Sequence, residues 1–307
     1  MAVVERRASV DEIRQVGMMM NVLMQAWAGA LGSGPQPGSP LAQDLEIQEE
    51  YATSRLPTPF GQAWAFAQTI GLAALNHEQV LQESLLRNAN NEGSCPIAVI
   101  DTLTRAIVEL LALQTWLTDP HVSSRDRFVR WVSIECSATR GQWRLLHPGR
   151  SHEDNLNLRA LLTDAKQFGL AYDERPGPKW IGTEVPAATS LVGELFEKHR
   201  LYGGLAASMI NPSVGEFMYR HLSSGVHGEA GYVLSALLPT ETGTVEHPVV
   251  TYTLSSGSLW RAATVFFLTT FVARSSYAAW LAIEVPTEAK RISLHHLNVS
   301  VGNLGMV

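Results

Sequence analysis

The chain has 307 residues, of which 46% are hydrophobic and 17% are charged, enough apolar material for one large globular domain or two smaller ones. The formal net charge of −6 argues against a broad nucleic-acid-binding surface, although a local basic groove is compatible with it. Cys95 and Cys136 lack the spacing of a metal site, and the first residues lack the apolar core of a signal peptide. We therefore expect a globular, cytoplasmic protein.

The N-terminal part of the chain predicts a separate element. Val10 to Leu31 has the period of an amphipathic, methionine-rich helix, and the Gly- and Pro-rich run from Gly32 to Pro40 interrupts the pattern. We expect the methionines at positions 18, 19, 20 and 24 to pack in the core, with a homo- or hetero-oligomeric contact through this helix as the alternative. The predicted organisation is a helical arm and break over 1–40, one bundle domain over 41–285 and an irregular tail over 286–307.

Further helices are predicted over most of the remaining chain. Their ranges are Pro57–Asn90 (one long or two shorter helices), Pro96–Asp119, Ser123–Leu146, Glu153–Leu170, Thr189–Met209, Asn211–Leu238 and Ser258–Leu281. The Pro- and Gly-rich run 172–186 predicts a loop, and only residues 247–254, HPVVTYTL, alternate as a strand would. The apolar run from Trp260 to Ile283 contains Arg261 and Arg274, which favours a buried helix over a membrane span. The expected fold class is all-α, a bundle of about eight to ten helices with at most one short hairpin or strand near residues 246–254.

Charged side chains with a candidate role occur on two of these helices. Arg105 and Glu109 stand one turn apart, where an exposed ion pair would contribute only a few tenths of a kcal/mol. Apolar residues including Trp116 share that side of the helix, so we favour a partly buried pair. Because burial of charged groups costs free energy, such a pair indicates a specific role. On the next helix Arg127 could bind an anion, or could cover surface and pair locally.

The most informative stretch is Asn211–Leu238, which predicts one helix closed by Pro239. Arg220, Ser224 and His227 recur at the spacing of a single helical face. Glycines at positions 225, 228 and 231 each cost about 1 kcal/mol relative to alanine inside a helix. Either a ligand or another backbone comes close beside His227, or the helix breaks near Ser223 to Gly225 and a turn presents the imidazole. The remaining alternative is a helix contact that requires small residues, with His227 as a hydrogen-bonded core histidine.

Common catalytic motifs are missing from the sequence. It has no P-loop, GxGxxG turn, GxSxG elbow, HExxH pair or cysteine cluster, so we expect no cofactor and no metal. His221, His227 and Glu229 are close in sequence, but on a helix their side chains would project from different faces, which disfavours a metal site. Acid–base chemistry is favoured over redox chemistry.

Three runs, IDTLTRAIVELLALQTWLTDP, SSRDRFVRW and YRHLSSGVHG, resemble a large group of uncharacterised bacterial helical proteins, frequent in actinobacteria. That group carries an R-x3-E helix and a Y-x3-S-x3-H-G helix, which fall here at Arg105, Glu109, Tyr219, Ser223 and His227. The resemblance runs from about Pro96 to Leu281 and implies no settled activity. Arg220, His221 and His227 also resemble, more loosely, the ribonuclease motif of the HEPN superfamily, which would imply a dimeric RNA-cleaving protein.

Three functions follow as alternatives. The first is a cofactor-independent acid–base enzyme for a small polar or anionic molecule, performing elimination, cyclisation or hydrolysis, with secondary-metabolite biosynthesis as a plausible setting. In this hypothesis His227 moves a proton, Glu109 orients it or acts as base, and Tyr219 contributes a hydrogen bond. The substrate-binding residues would be Arg105, Arg220, Ser223, Ser224, Arg127 and Trp116. The others are a HEPN-like ribonuclease of a defence or toxin–antitoxin system, and a non-catalytic helical binding or scaffold protein.

Overall fold

A computed structural model describes most of the chain. The described residues are 8–90, 97–151, 154–170, 172–173, 179–180, 185–202, 219–220, 222–223, 237–243, 248–254 and 256–285. Eight α-helices have both ends in the described ranges: α1 Val10–Leu31, α2 Pro40–Glu46, α3 Pro59–Asn90, α4 Ile97–Leu117, α5 Ser124–Leu146, α6 Leu156–Lys166, α7 Ala188–Tyr202 and α8 Ser256–Leu281. Residues 219–220 and 222–223 are also helical. A 3-10 turn, Gln48–Tyr51, follows α2. The predicted all-α class is confirmed, and α3 is one continuous helix.

Polar caps explain why several of these helices begin where they do. Ser9 accepts a hydrogen bond from the backbone N–H of Glu12, whose carboxylate accepts one from the Ser9 N–H, and this reciprocal pair starts α1. Ser123 and Asp126 start α5 in the same way. Ser39 caps α2 immediately before a proline, so the Gly- and Pro-rich break ends in a helix start that the sequence pattern did not predict.

Helix α8 is the centre of the bundle. Its described side chains from Leu259 to Leu281 are buried except Ala279, which is half-buried, because α1, α2, α4 and α7 pack around it. Thr264 and Thr269 donate their hydroxyl protons to carbonyls four residues earlier, which satisfies polar groups that water cannot reach. No helix in the described part of the chain has an apolar stretch sufficient to cross a bilayer.

The methionine-rich helix α1 contributes its apolar face to this core. Met19, Met20 and Met24 are buried, which confirms core packing for three of the four methionines, while Met18 is 55% exposed. Trp27 packs edge-on against Tyr277 of α8, with ring centroids 5.3 Å apart. The segment predicted as an arm therefore shares a hydrophobic core with the helices that follow it.

Within the described ranges two antiparallel hairpins accompany the helices, where the sequence predicted at most one. The first pairs only Tyr172–Asp173 (β1) with Lys179–Trp180 (β2), inside the run predicted as a loop. The second pairs Leu237–Gly243 (β3) with Pro248–Leu254 (β4), and β4 coincides with the predicted strand.

The second hairpin corrects the predicted end of the helix Asn211–Leu238. Leu237 and Leu238 lie in β3, opposite Leu254 and Thr253, and are not the last helical turn. Pro239 is tolerated within β3 because each strand of a two-stranded sheet has an unpaired edge, where a missing N–H costs nothing. The proline occupies a strand position here, and the prediction that it stops a helix was wrong.

Candidate functional site

The best-defined polar cluster joins helix α4 to a helical stretch that contains Tyr219 and Arg220. Arg105 Nε donates to Glu109 Oε1 over 2.8 Å, one turn along α4. The hydroxyl of Tyr219, 110 residues later, donates to the same Oε1 over 2.6 Å. The Arg105 guanidinium also lies 5.7 Å from the centroid of the Tyr219 ring. Three residues that the sequence pattern placed in one site are thus in direct contact.

The two oxygens of Glu109 have different surroundings. Both hydrogen bonds reach Oε1, and Oε2 has no hydrogen-bond partner among the described residues. The Glu109 side chain is 36% exposed and that of Arg105 is 23% exposed, so water and small solutes can reach the cluster. The arrangement fixes the carboxylate in orientation while leaving one oxygen able to accept a further proton or hydrogen bond.

Protonation states follow from this geometry. Burial, the hydrogen bond to Glu109 and the charge of Glu109 raise the pKa of Tyr219, so its phenol stays protonated and remains a donor at neutral pH. The hydrogen bond to Glu109 is the largest influence on Arg105 and raises the pKa of the guanidinium. The cluster therefore holds one fixed cation and one neutral hydroxyl against Glu109.

Trp116 does not line this cluster. Its side chain is 7% exposed, and the Arg130 guanidinium lies 5.2 Å from its ring centroid while donating to the Trp116 carbonyl. Trp116 therefore packs in the core beneath Arg130, and its predicted role in substrate binding has no support in the described contacts.

Arg127 lies in a separate buried ion pair. Its Nε and Nη2 donate to the two carboxylate oxygens of Asp44 over 2.6 and 2.8 Å, and its Nη1 donates to the carbonyls of Asp119 and Val122. The side chains of Arg127 and Asp44 are 6% and 0% exposed. The guanidinium thus ties α2 to α5 and to the end of α4, so we assign Arg127 to the fold and not to anion binding.

The remaining predicted site residues are described only in part. Arg220 is exposed beside Tyr219, and Ser223 is half-buried one turn further along. Ser224, His221 and His227 lie outside the described residues, so the convergence of His227 with Arg105 and Glu109 stays a prediction.

A second charged cluster, which no sequence pattern predicted, lies at the end of α4. Asp119 accepts a hydrogen bond from Lys198 of α7 over 2.5 Å and lies 3.6 Å from Arg130 of α5. Burial opposes ionisation of Asp119, but the hydrogen bond and charge of Lys198, the His121 N–H and Arg130 together outweigh it and lower the pKa of Asp119. Nothing local in the sequence links positions 119 and 198, which the fold brings together.

Comparison of the chain with protein-family models, with curated proteins and with solved structures found no match. The resemblances to the bacterial helical group and to HEPN proteins therefore stay predictions. Within the described residues, no group of three or more His, Cys, Asp and Glu side chains is arranged to hold a metal ion.

Proposed function

We propose that the protein is an acid–base enzyme that acts, without a cofactor, on a small polar or anionic molecule at the Arg105–Glu109–Tyr219 cluster. The observation that carries the proposal is the asymmetry of Glu109. One carboxylate oxygen is held by two donors, and the other has no partner among the described residues on a side chain that is 36% exposed. A base needs this combination of fixed orientation and access.

In this proposal Glu109 Oε2 accepts a proton from the substrate or from a water molecule. The donors on Oε1 keep the carboxylate in place. Arg105 stays charged and Tyr219 stays protonated at neutral pH, because their ordinary pKa values lie well above 7 and the cluster raises both further. Exposed Arg220, next to Tyr219, places a second guanidinium, a group that binds carboxylates and phosphates, near the cluster. Elimination, cyclisation and hydrolysis all fit such a base, and tailoring of a secondary metabolite is the setting that the resemblance to actinobacterial proteins suggests.

A second candidate function is a non-catalytic helical binding or scaffold protein. The observation that favours it is that Arg105, Glu109 and Tyr219 bond to one another, as they would in a contact that only fastens the Tyr219 segment to α4. In that case the cluster contributes to stability and to no reaction.

Proton exchange offers a test that requires no knowledge of the product. The wild-type protein is incubated in deuterated water with a panel of small carboxylates and phosphates, and proton NMR follows exchange of carbon-bound protons and new product signals. Glu109→Gln keeps the shape of the side chain but removes the base, so we expect exchange or turnover to fall about 100- to 10,000-fold. The substrate should still bind, because the amide that replaces the carboxylate keeps an oxygen for the two donors.

Glu83→Gln is the matched control, since Glu83 also forms a pair with an arginine one turn away, at 3.9 Å, but on an exposed face of α3. This variant should react like the wild type. Undiminished turnover in Glu109→Gln would contradict the proposal. A lower melting temperature in that variant, with no molecule of the panel bound or exchanged by the wild type, would favour the scaffold function instead.

A further inference from the structure

Helices α1 and α3 lie side by side and run in opposite directions. Gln68 donates to the carbonyl of Leu31 at the end of α1, and the side chain of Leu31 fills the space beside Gly71, where a Cβ would lie 2.5 Å from Leu31 Cδ2. At the other end, Gly17 faces Leu86, whose Cδ2 would lie 2.9 Å from an added Cβ. The two helices therefore form a continuous layer with one common outer face.

This outer face is made of the exposed residues of both helices. At 100° per residue, the residues that point away from the core and fall on the same side of the helix pair form two adjacent rows. They are Met18, Val22, Gln25 and Gly29 on α1 and Ala65, Thr69, Leu72, Asn76 and Gln79 on α3. Met18 is 55% exposed and Leu72 is 51% exposed, which is high for large apolar side chains.

The second property of the face is that it carries no charge. Residues 15–43 contain no Asp, Glu, Lys or Arg, and residues 56–82 contain only Glu78, in a chain of which 17% is charged. Glu78 is 0% exposed and pairs with Arg274 over 2.9 Å, so it contributes nothing to the surface. The pair Glu83–Arg87 lies at one edge. A solvated helix surface normally carries charges, so their absence from adjacent stretches of these two helices indicates a covered surface.

We propose that this α1–α3 face is the interface with a second copy of the chain. The net charge of −6 means that two copies repel each other over most of their surface, and an uncharged face is where they can meet without that repulsion. In a two-fold dimer the same surface of each copy contacts its counterpart, so the surface must be complementary to itself. An uncharged surface of apolar and amide side chains meets this requirement, whereas it has no charged group to pair with a charged partner protein.

The size of the face fits a stable dimer. The helix over residues 60–82 is roughly 35 Å long and two helices side by side are roughly 20 Å wide, so the face covers about 700 Å². This is close to the ~800 Å² that each partner buries in a standard interface. Leu72 is at the middle of the uncharged stretch of α3, so the two-fold axis passes near it and brings the two copies of Leu72 together.

The test is the oligomeric state of full-length variants, measured by light scattering and sedimentation at several protein concentrations. The wild type should have twice the mass of one chain, with little change between about 50 and 500 mM NaCl because the interface lacks ion pairs. Leu72→Lys and Leu72→Glu should each be monomeric, with a dissociation constant raised at least ~100-fold, because each places two like charges at the axis. Mixing the two variants should restore a dimer.

The control is Leu145→Lys, which adds the same charge to an 84% exposed leucine on α5, away from the proposed interface, and should remain dimeric. Circular dichroism checks that every variant is folded. A monomeric wild type would overturn the proposal, and so would a dimer that survives Leu72→Lys. A mixture of the two charge variants that stays monomeric would contradict the two-fold arrangement at Leu72. The proposal is independent of the catalytic one, since none of these variants touches the Arg105–Glu109–Tyr219 cluster.

Discussion

Replacement of Arg127 by methionine should be among the most destabilising single changes in this fold. The guanidinium makes two hydrogen bonds to Asp44 and two to backbone carbonyls, and methionine has a similar length but no donor. The change leaves the Asp44 carboxylate, which is 0% exposed, without its counter-charge. Removing one partner of a buried pair costs about 3–5 kcal/mol, because the other charge stays desolvated.

The double variant Asp44→Leu/Arg127→Met should recover much of this loss. With both charges gone, no unpaired ion remains, and apolar replacements of similar volume for buried pairs are often nearly neutral. The carbonyls of Asp119 and Val122 still lose their donor, so we expect a residual cost of about 1–2 kcal/mol. If each single change costs about 4 kcal/mol, the sum would be about 8 kcal/mol, and the coupling energy is therefore several kcal/mol.

Urea unfolding followed by circular dichroism and tryptophan fluorescence measures the free energies of all three variants. Arg87→Met is the control, because the Arg87–Glu83 pair is exposed and should contribute no more than a few tenths of a kcal/mol. If the two single changes were additive, the ion pair with Asp44 would not account for the loss. If Arg127→Met destabilised no more than Arg87→Met, Arg127 would not be a structural residue. The hypothesis that it binds an anion would then regain support.

Two further predictions concern pH. The folded-state pKa of Asp119 is lowered, so its contribution to stability is present above its unfolded pKa of about 4 and is lost as the pH falls. Unfolding measured as a function of pH should therefore show less acid destabilisation in Lys198→Met than in the wild type. An unchanged pH profile would contradict the assignment. The pKa of Tyr219 is raised, so its contribution is present below about 10 and is lost as the pH rises through the folded-state value. Tyr219→Phe should therefore reduce alkaline destabilisation in the same measurement, and an equal loss in both proteins would show that the phenol does not titrate as inferred.

Local sequence patterns predicted the helices well where caps and apolar period agree. Val10–Leu31 has the bounds of α1, and the predicted Ser123–Leu146 differs from α5 only at its first residue. Both helices begin near the predicted residue because Ser9 and Ser123 cap them at the start of the hydrophobic period. The pattern failed at Leu237 and Leu238, which continue a helical period but pair with β4 instead. Strand pairing joins residues that are distant in sequence, and here it outweighed the local helical period. A sequence pattern records only the local period, so it could not predict this pairing.

The same distinction explains which parts of the candidate site were predictable. Arg105 and Glu109 are four residues apart on one helix, so helical geometry alone brings them together. Asp44 and Arg127 are 83 residues apart, and Glu78 and Arg274 are 196 apart. No spacing rule links such positions, so the sequence pattern left open whether Arg127 binds an anion or pairs within the protein, and it could not identify Asp44 as the partner.

Exposure separates a charged pair that belongs to the fold from one that can belong to a site. Asp44–Arg127 and Glu78–Arg274 each have a carboxylate that is 0% exposed and an arginine that is 6% exposed, so no solute reaches them. Glu109 differs because its carboxylate is fastened through one oxygen while the side chain stays 36% exposed. Helix α4 packs against α3, α7 and α8, so Glu109 lies on a helix held in place by its neighbours. A carboxylate that is held in orientation and left in contact with solvent satisfies two requirements of the proposed acid–base role, which the buried pairs cannot meet.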